Sequence, residues 1–241
     1  MPANAPERIA ANLARVRERI AAAARKTGRD AGGITLVAVT KSVGLDEIRA
    51  LLQLGVKDLG ENRLQPAQPK IEALAAEMAA AGARWHMIGH LQTNKAKPVL
   101  QRFDCVDAVD SINLLGMLAK EARKLGRDKV PCLAEVNVSG EAQKYGLPPA
   151  DLEAFLKRAA ELPGIFLRGL LTMAPYADSA EQVEAISRPV FRGLRELRDQ
   201  ANAANWYGQP LAELSMGMTN DYEIAIEEGA TVVRVGTGLF V

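Results

Sequence analysis

The sequence has little of what metal centres and disulfide-bonded folds require. Its two cysteines, Cys105 and Cys132, stand far apart in apolar stretches typical of strands. Buried thiols of this kind behave as small hydrophobic side chains. The two histidines, His86 and His90, have no cysteine or further histidine at metal-ligand spacing. We therefore expect no metal site, with His86 packed beside Trp85 and His90 at the mouth of the fold.

An excess of charge of one sign is also missing. Thirty basic residues against 29 acidic residues leave a net charge of +1, and lysine and arginine are spread along the chain. This balance argues against a nucleic-acid partner. No apolar run reaches membrane-spanning length, and residues 1–25 lack the apolar core of a signal peptide. We expect a cytoplasmic protein that binds neither nucleic acid nor membranes.

What the sequence does contain is a nearly continuous apolar run over 34–41 that ends in Lys41. Such a run predicts a strand buried on both faces, as in a parallel sheet. A lysine at the carboxyl end of that strand lies where α/β folds bind ligands. Partial desolvation would lower its pKa and free the amine to form a Schiff base. Taken alone, the residue is explained better by a lysine that simply extends to solvent.

The alternation of strand-like and helix-like segments predicts the fold class. A helix over 5–27 precedes eight strand–helix units that follow one another without a linker. This pattern predicts an α/β protein, a single (β/α)8 TIM barrel with an extra N-terminal helix; an open doubly wound sheet is the alternative. We expect one domain over 1–241, with 1–33 as N-terminal helix and lead-in. The predicted strands are 34–41, 56–59, 84–88, 103–109, 130–138, 165–173, 211–214 and 231–235.

Two loops near the C-terminus predict an anion site. The loops after strands 7 and 8, residues 215–219 and 236–238, combine glycines with hydroxyl side chains. In a barrel of this type these loops commonly hold a phosphate, although glycines that only turn the chain would look the same. Barrel closure places Arg234 near Lys41, and an inward arginine needs an acceptor. A Schiff-base lysine, a phosphate cup and an arginine together describe a site for pyridoxal 5′-phosphate (PLP).

Several stretches carry a family resemblance in the expected order. The most specific runs from Trp85 to Lys95, and the others are 38–41, 60–62, 136–141, 214–218 and 233–237. With these motifs the chain resembles the pyridoxal phosphate homeostasis protein family, also called the proline synthase co-transcribed proteins. That family is similar in fold to the barrel domain of bacterial alanine racemases.

The resemblance implies roles for particular residues. It implies that Lys41 carries PLP as a Schiff base and that Arg234 faces the pyridine nitrogen, which keeps the ring a weak electron sink. It also implies that Asn62 lines the pocket and that the phosphate is held by the loops containing Ser215, Met216, Gly236 and Thr237. The sequence departs from the family pattern at Arg63, Pro66, Thr219-Asn220 and Gly238.

The expected function is PLP binding for cofactor homeostasis without robust catalysis. A racemase on this barrel needs a second base, supplied in the resembling enzymes by a tyrosine of an extra domain, and this sequence ends at Val241 just after the barrel. One alternative is a small amino-acid racemase that uses Tyr176, Tyr222 or a partner chain. Another is a cofactor-free lyase in which Lys41 attacks a carbonyl substrate. We expect a monomer, with PLP and PLP-accepting apoenzymes as partners.

Overall fold

The computed structural model of the protein describes residues 5–177 and 179–241, which form a closed barrel of eight parallel strands. The strands pair in chain order, and the eighth returns to pair with the first. The predicted (β/α)8 barrel is therefore confirmed, and the open sheet is excluded. The strands are β1 Thr35–Val39, β2 Asp58–Glu61, β3 Arg84–Met87, β4 Cys105–Val109, β5 Lys129–Glu135, β6 Gly164–Leu171, β7 Glu213–Ser215 and β8 Val232–Val235.

Helices follow the strands and cover the outside of the barrel. Their apolar faces bury leucine, isoleucine and alanine against the sheet, as their spacing in the sequence predicts. The helices are α1 Ala5–Lys26, α2 Leu45–Gln53, α3 Leu64–Ala73, α4 Ala75–Ala81, α5 Ala96–Leu100, α6 Ile112–Lys124, α7 Leu152–Ala160, α8 Ala180–Ala203, α9 Tyr222–Glu227 and α10 Thr237–Phe240.

The extra N-terminal helix is confirmed and packs against both α9 and α10. Its face of Ile9, Leu13 and neighbouring apolar residues is buried. The Asn12 amide donates hydrogen bonds to the carbonyls of Leu239 and Val241, at 3.2 and 3.1 Å. Because α10 follows β8 directly, this contact anchors the end of the chain beside the mouth of the barrel.

Several element boundaries differ from the prediction. The first strand ends at Val39, so Lys41 lies two residues beyond the ladder rather than within it. The helical segment after β2 divides at Leu74 into α3 and α4. Helix α8 contains Pro189 in its interior. The sequence pattern gave no sign of α10, which has only four residues.

The barrel interior holds a column of charged side chains that the sequence analysis missed. His86 donates from Nδ1 to Asp107 (2.6 Å) and from Nε2 to Asp58 (3.0 Å). Arg168 in turn bonds Asp107 at 3.0 Å and Glu213 at 2.8 Å. The interpretation of His86 as packed beside Trp85 is wrong, because successive strand residues point to opposite faces.

The charge state of His86 follows from this setting. Burial opposes its protonation, but the negative charge of Asp107 and hydrogen bonds to Asp107 and Asp58 raise its pKa well above the ordinary value. The Cys105 thiol lies with His86 and Asp107 in one group whose ligand atoms fall within 4.8 Å of one another. Both His86 nitrogens are already committed to carboxylates, so the group is a charge-balanced core cluster.

No helix in the described part of the chain is long and apolar enough to cross a membrane. The division of the chain into one domain over 1–241 stays a prediction.

Candidate cofactor site

A cavity of about 450 Å³ opens at the carboxyl end of the barrel. Four of the residues singled out from the sequence line it together: Lys41, Arg234, Gly236 and Thr237. We call this the first cavity. Its wall also includes Lys144, Met173, Tyr176, Ser187, Thr219 and Asp221. Residues distant in sequence meet here because β8 pairs with β1.

The backbone that presents Lys41 is held from two neighbouring elements. The N–H of buried Thr40 donates to the Gly60 carbonyl (2.9 Å), and its hydroxyl donates to the Glu61 carboxylate (2.8 Å). The Lys70 ammonium on α3 donates to the Thr40 carbonyl (2.8 Å) and to the same Glu61 oxygen (2.9 Å). This Thr40–Glu61–Lys70 network fixes the main chain immediately before Lys41.

Lys41 is exposed, so the partial desolvation expected from the sequence is not found. Across residues 5–177 and 179–241, the structure gives its amine no hydrogen bond and no ion pair. Sequence reasoning missed Glu61 and Lys70, which support it. Glu61 lies in a recognised motif, but the sequence holds no signal that would pair it with a lysine nine positions later.

Arg234 is the buried cation of the first cavity, with 4% of its surface exposed. Its guanidinium donates to the Ser215 hydroxyl (2.7 Å) and to the Thr172 carbonyl (3.1 Å). Burial lowers its pKa, while the charges of Asp107 and Glu135 act in the opposite direction. No carboxylate of the described chain forms an ion pair with it. A donor held in this way suits an uncharged acceptor, such as a ring nitrogen, on a ligand.

The two predicted phosphate loops meet through their hydroxyl groups. The Thr237 hydroxyl donates to that of Thr219 (3.2 Å), and the Gly238 N–H also donates to the Thr219 oxygen (3.3 Å). Gly236 is the N-cap of α10 and carries no side chain that would occupy this corner. Hydroxyls and backbone N–H groups at such a corner can bind an anion.

Gly217 and Asp221 shape the other side of the corner. Gly217 has φ +91°, and a Cβ there would lie 2.6 Å from the Ala225 Cβ, so this close approach needs glycine. The Asp221 carboxylate accepts from the Met218 N–H (2.6 Å) and the Ser187 hydroxyl (3.2 Å). Burial raises the pKa of Asp221, while these hydrogen bonds act in the opposite direction.

Three predicted residues lie outside the wall of the first cavity. Ser215 and Met216 are fully buried at the end of β7, where the Ser215 hydroxyl supports Arg234. Asn62 follows β2 and lines a different cavity. Direct ligand contacts of Ser215, Met216 and Asn62 therefore stay predictions, as do those of the four residues in the wall.

The second cavity, of about 400 Å³, lies between the loop after β2 and the loop after β3. Gly89 makes this contact possible, since a Cβ there would lie 2.3 Å from the Asn62 carbonyl oxygen. His90 bonds Asp110 at 2.8 Å and stacks on Tyr145 with ring centroids 3.8 Å apart. We define the second cavity by Asn62, Arg63, Gln65, His90, Gln92, Lys95 and Tyr145.

Glu135, the last residue of β5, is a buried acid that senses charges from both cavities, those of Arg234 and His90. It is 2% exposed, and burial raises its pKa to about 7. The charge of Asp110 adds to this shift, whereas the charges of Arg234 and His90 oppose it. Its carboxyl group therefore changes charge near neutral pH.

The groups around the first cavity define the class of protein: a barrel that binds a small molecule at the carboxyl ends of its strands. The first cavity combines a lysine amine and a buried guanidinium, neither with an ionic partner among the described residues, with a corner of hydroxyl and N–H donors. Such a donor set suits a small phosphorylated compound with a reactive carbonyl and a hydrogen-bond acceptor.

Comparisons with known proteins agree with this class. The family model for the alanine racemase N-terminal domain matches residues 8–241. The pyridoxal phosphate homeostasis protein of Aquifex aeolicus is 41% identical over 228 residues, which cover 95% of each chain. The protein of the same name from Pseudomonas aeruginosa is also 41% identical, over 96% of this chain and 94% of the relative.

A solved structure of PipY from Synechococcus elongatus with PLP bound superimposes with a TM-score of 0.77. It is 33% identical and covers 94% of this chain and all of that chain. The chain therefore belongs to the alanine racemase N-terminal domain family and, within it, to the family of pyridoxal phosphate homeostasis proteins.

Proposed function

We propose that this protein binds PLP in the first cavity through Lys41 and serves to store and deliver the cofactor. The observation that carries the proposal is the meeting of Lys41, Arg234 and the Thr219–Thr237 corner around one cavity. Support comes from PipY, whose structure holds PLP, and from relatives named for PLP homeostasis.

Each residue has a physical task in this proposal. When bound, PLP supplies an aldehyde that condenses with a lysine amine. The Lys41 amine is free to condense, and Thr237, Gly236 and the neighbouring Thr219 would hold the phosphate. Arg234 would donate to the pyridine nitrogen from a position fixed by Ser215. Because arginine keeps its protons, it would leave that nitrogen unprotonated.

We assign Met216 and Asn62 supporting roles. Met216 is buried beneath the corner between the two loops and would fix its shape. Asn62 adjoins the Thr40–Glu61–Lys70 network and would border the ring from the β2 side. Neither needs to change protonation, so both suit binding rather than chemistry.

We infer weak catalytic power from the same proposed arrangement. An unprotonated pyridine nitrogen stabilises a carbanion poorly. The first cavity is also open, and an open site favours exchange of the cofactor over reactions that require exclusion of water. We infer that the protein acts as a cytoplasmic monomer that delivers PLP to apoenzymes.

Amino-acid racemisation is the second candidate function, and one observation favours it. Tyr176 lines the first cavity with 82% of its surface exposed, so its hydroxyl could reach a bound substrate. Tyr222 suits that role less well: it is buried, and Arg19 lies over its ring at 5.4 Å. If racemisation occurs, Tyr176→Phe should abolish it and leave PLP binding intact.

The visible absorption spectrum of the purified protein tests the proposal. Wild type incubated with PLP should acquire a visible band, and borohydride should then fix the cofactor to the peptide containing Lys41. Lys41→Ala should lose the band, and the exposed-lysine control Lys97→Ala should keep it. A wild type that cannot be loaded with PLP would overturn the proposal and favour the cofactor-free lyase. Racemisation of alanine, serine or glutamate by loaded wild type would favour the second candidate.

A further inference from the structure

The second cavity carries positive charge that the proposed PLP site does not use. Arg63 and Lys95 both line it, from the loops after β2 and β3 respectively. Within the described residues, neither side chain forms a hydrogen bond or an ion pair. The wall of the cavity includes no aspartate or glutamate. Two basic side chains, exposed Arg63 and half-buried Lys95, therefore face one cavity with no ion-pair partner among the described residues.

The backbone adds further donors to the same space. Helix α3 has ten residues and begins here with Arg63 as N-cap, and no side chain caps it. The first N–H groups of a helix have no partner within the helix, and its dipole favours negative charge at this end. Gln65 and Asn62 also line the cavity and can donate from their amides.

The far side of the second cavity is formed by His90 and Tyr145. Asp110 is hydrogen-bonded to His90 at 2.8 Å and is not among the residues that line the cavity. Tyr145 closes the space by stacking on His90. The volume of about 400 Å³ lies in the range of small-molecule sites.

We propose that the second cavity binds the phosphate group of a small molecule, with Arg63 and Lys95 as its ionic partners. Two cations on separate loops match a doubly charged phosphate better than a singly charged carboxylate. Arginine provides two parallel donors for phosphate oxygens, and lysine adds a point charge.

A titration of the isotope-labelled full-length protein with inorganic phosphate, followed by amide chemical shifts, tests the proposal without PLP. The amides of residues 62–65 and 93–95 should shift and saturate. Arg63→Gln and Lys95→Gln should each weaken this binding by about tenfold, the effect of one charge-assisted hydrogen bond. Lys97→Gln, an exposed lysine outside the cavity, should bind as wild type does.

The same experiment separates this site from the first cavity. Phosphate bound in the first cavity would shift the amides of 217–219 and 236–238, and those shifts should persist in Arg63→Gln. Shifts confined to that region would overturn the proposal and leave the proposed PLP function untouched. Equal affinity for acetate and phosphate at residues 62–65 would overturn the assignment to phosphate.

Discussion

Replacing Lys70 by methionine should destabilise the barrel and loosen the segment that carries Lys41. The Lys70 side chain is 14% exposed and the Glu61 side chain is fully buried. In the variant, the Glu61 carboxylate keeps the Thr40 hydroxyl but loses its ionic partner. Removing one member of a buried ion pair costs about 3–5 kcal/mol. Because water can reach Lys70, we expect a loss of about 3 kcal/mol in the free energy of unfolding.

Urea unfolding of wild type, Lys70→Met, Glu61→Gln and the double variant measures this loss. The double variant should be more stable than the sum of the single losses predicts, by at least about 1 kcal/mol, because the two residues contact each other. An exposed-lysine control, Lys120→Met, should change stability by less than about 0.5 kcal/mol. A loss below about 1 kcal/mol in Lys70→Met, or strictly additive losses, would refute the reasoning. PLP should also load more weakly on Lys70→Met, since the Thr40 carbonyl loses its donor.

Three further predictions concern the barrel interior and mouth. The pKa of His86 is raised in the folded state, so its contribution to the free energy of unfolding is complete below about pH 6.5. Above that pH the contribution declines by up to about 1.4 kcal/mol per pH unit. This decline should be absent in His86→Gln when unfolding is measured from pH 6 to 9. The raised pKa of Glu135, about 7, should cost about 3 kcal/mol of stability as pH rises from 4.5 to 7; Glu135→Gln should show no such decline. Gly89→Ala should lower the melting temperature because its Cβ would meet the Asn62 carbonyl; an unchanged melting temperature would contradict the close contact.

The order of elements was accessible from sequence because each one is locally encoded. Ser111 caps α6, since its hydroxyl accepts from the Leu114 N–H. Gly55, with φ +77°, ends the turn after α2. Apolar periodicity and turn residues of this kind depend on neighbours in the chain, which a single sequence displays directly. Helix α10 was not predicted, because four residues are too few to show the apolar periodicity of a helix.

The site was accessible only in part. Strand order around a closed barrel brings Lys41 and Arg234 to one cavity, and that order follows from counting units. The partners of these residues do not follow from it. The pairing of Glu61 with Lys70 depends on side-chain reach between β2 and α3. Asn62 lies in the second cavity because the Gly89 loop packs against it, a contact that no local pattern encodes.

The charged column inside the barrel also bears on how the chain selects its strand register. Asp58, His86, Asp107, Arg168 and Glu213 come from five different strands, and each contacts an opposite charge on another strand. A strand that slipped by one residue would turn its charge outward and leave its partner alone in an apolar interior. An all-apolar interior would tolerate such a slip far better. The column therefore favours the native strand register, because all five side chains find oppositely charged partners only when every strand is correctly aligned.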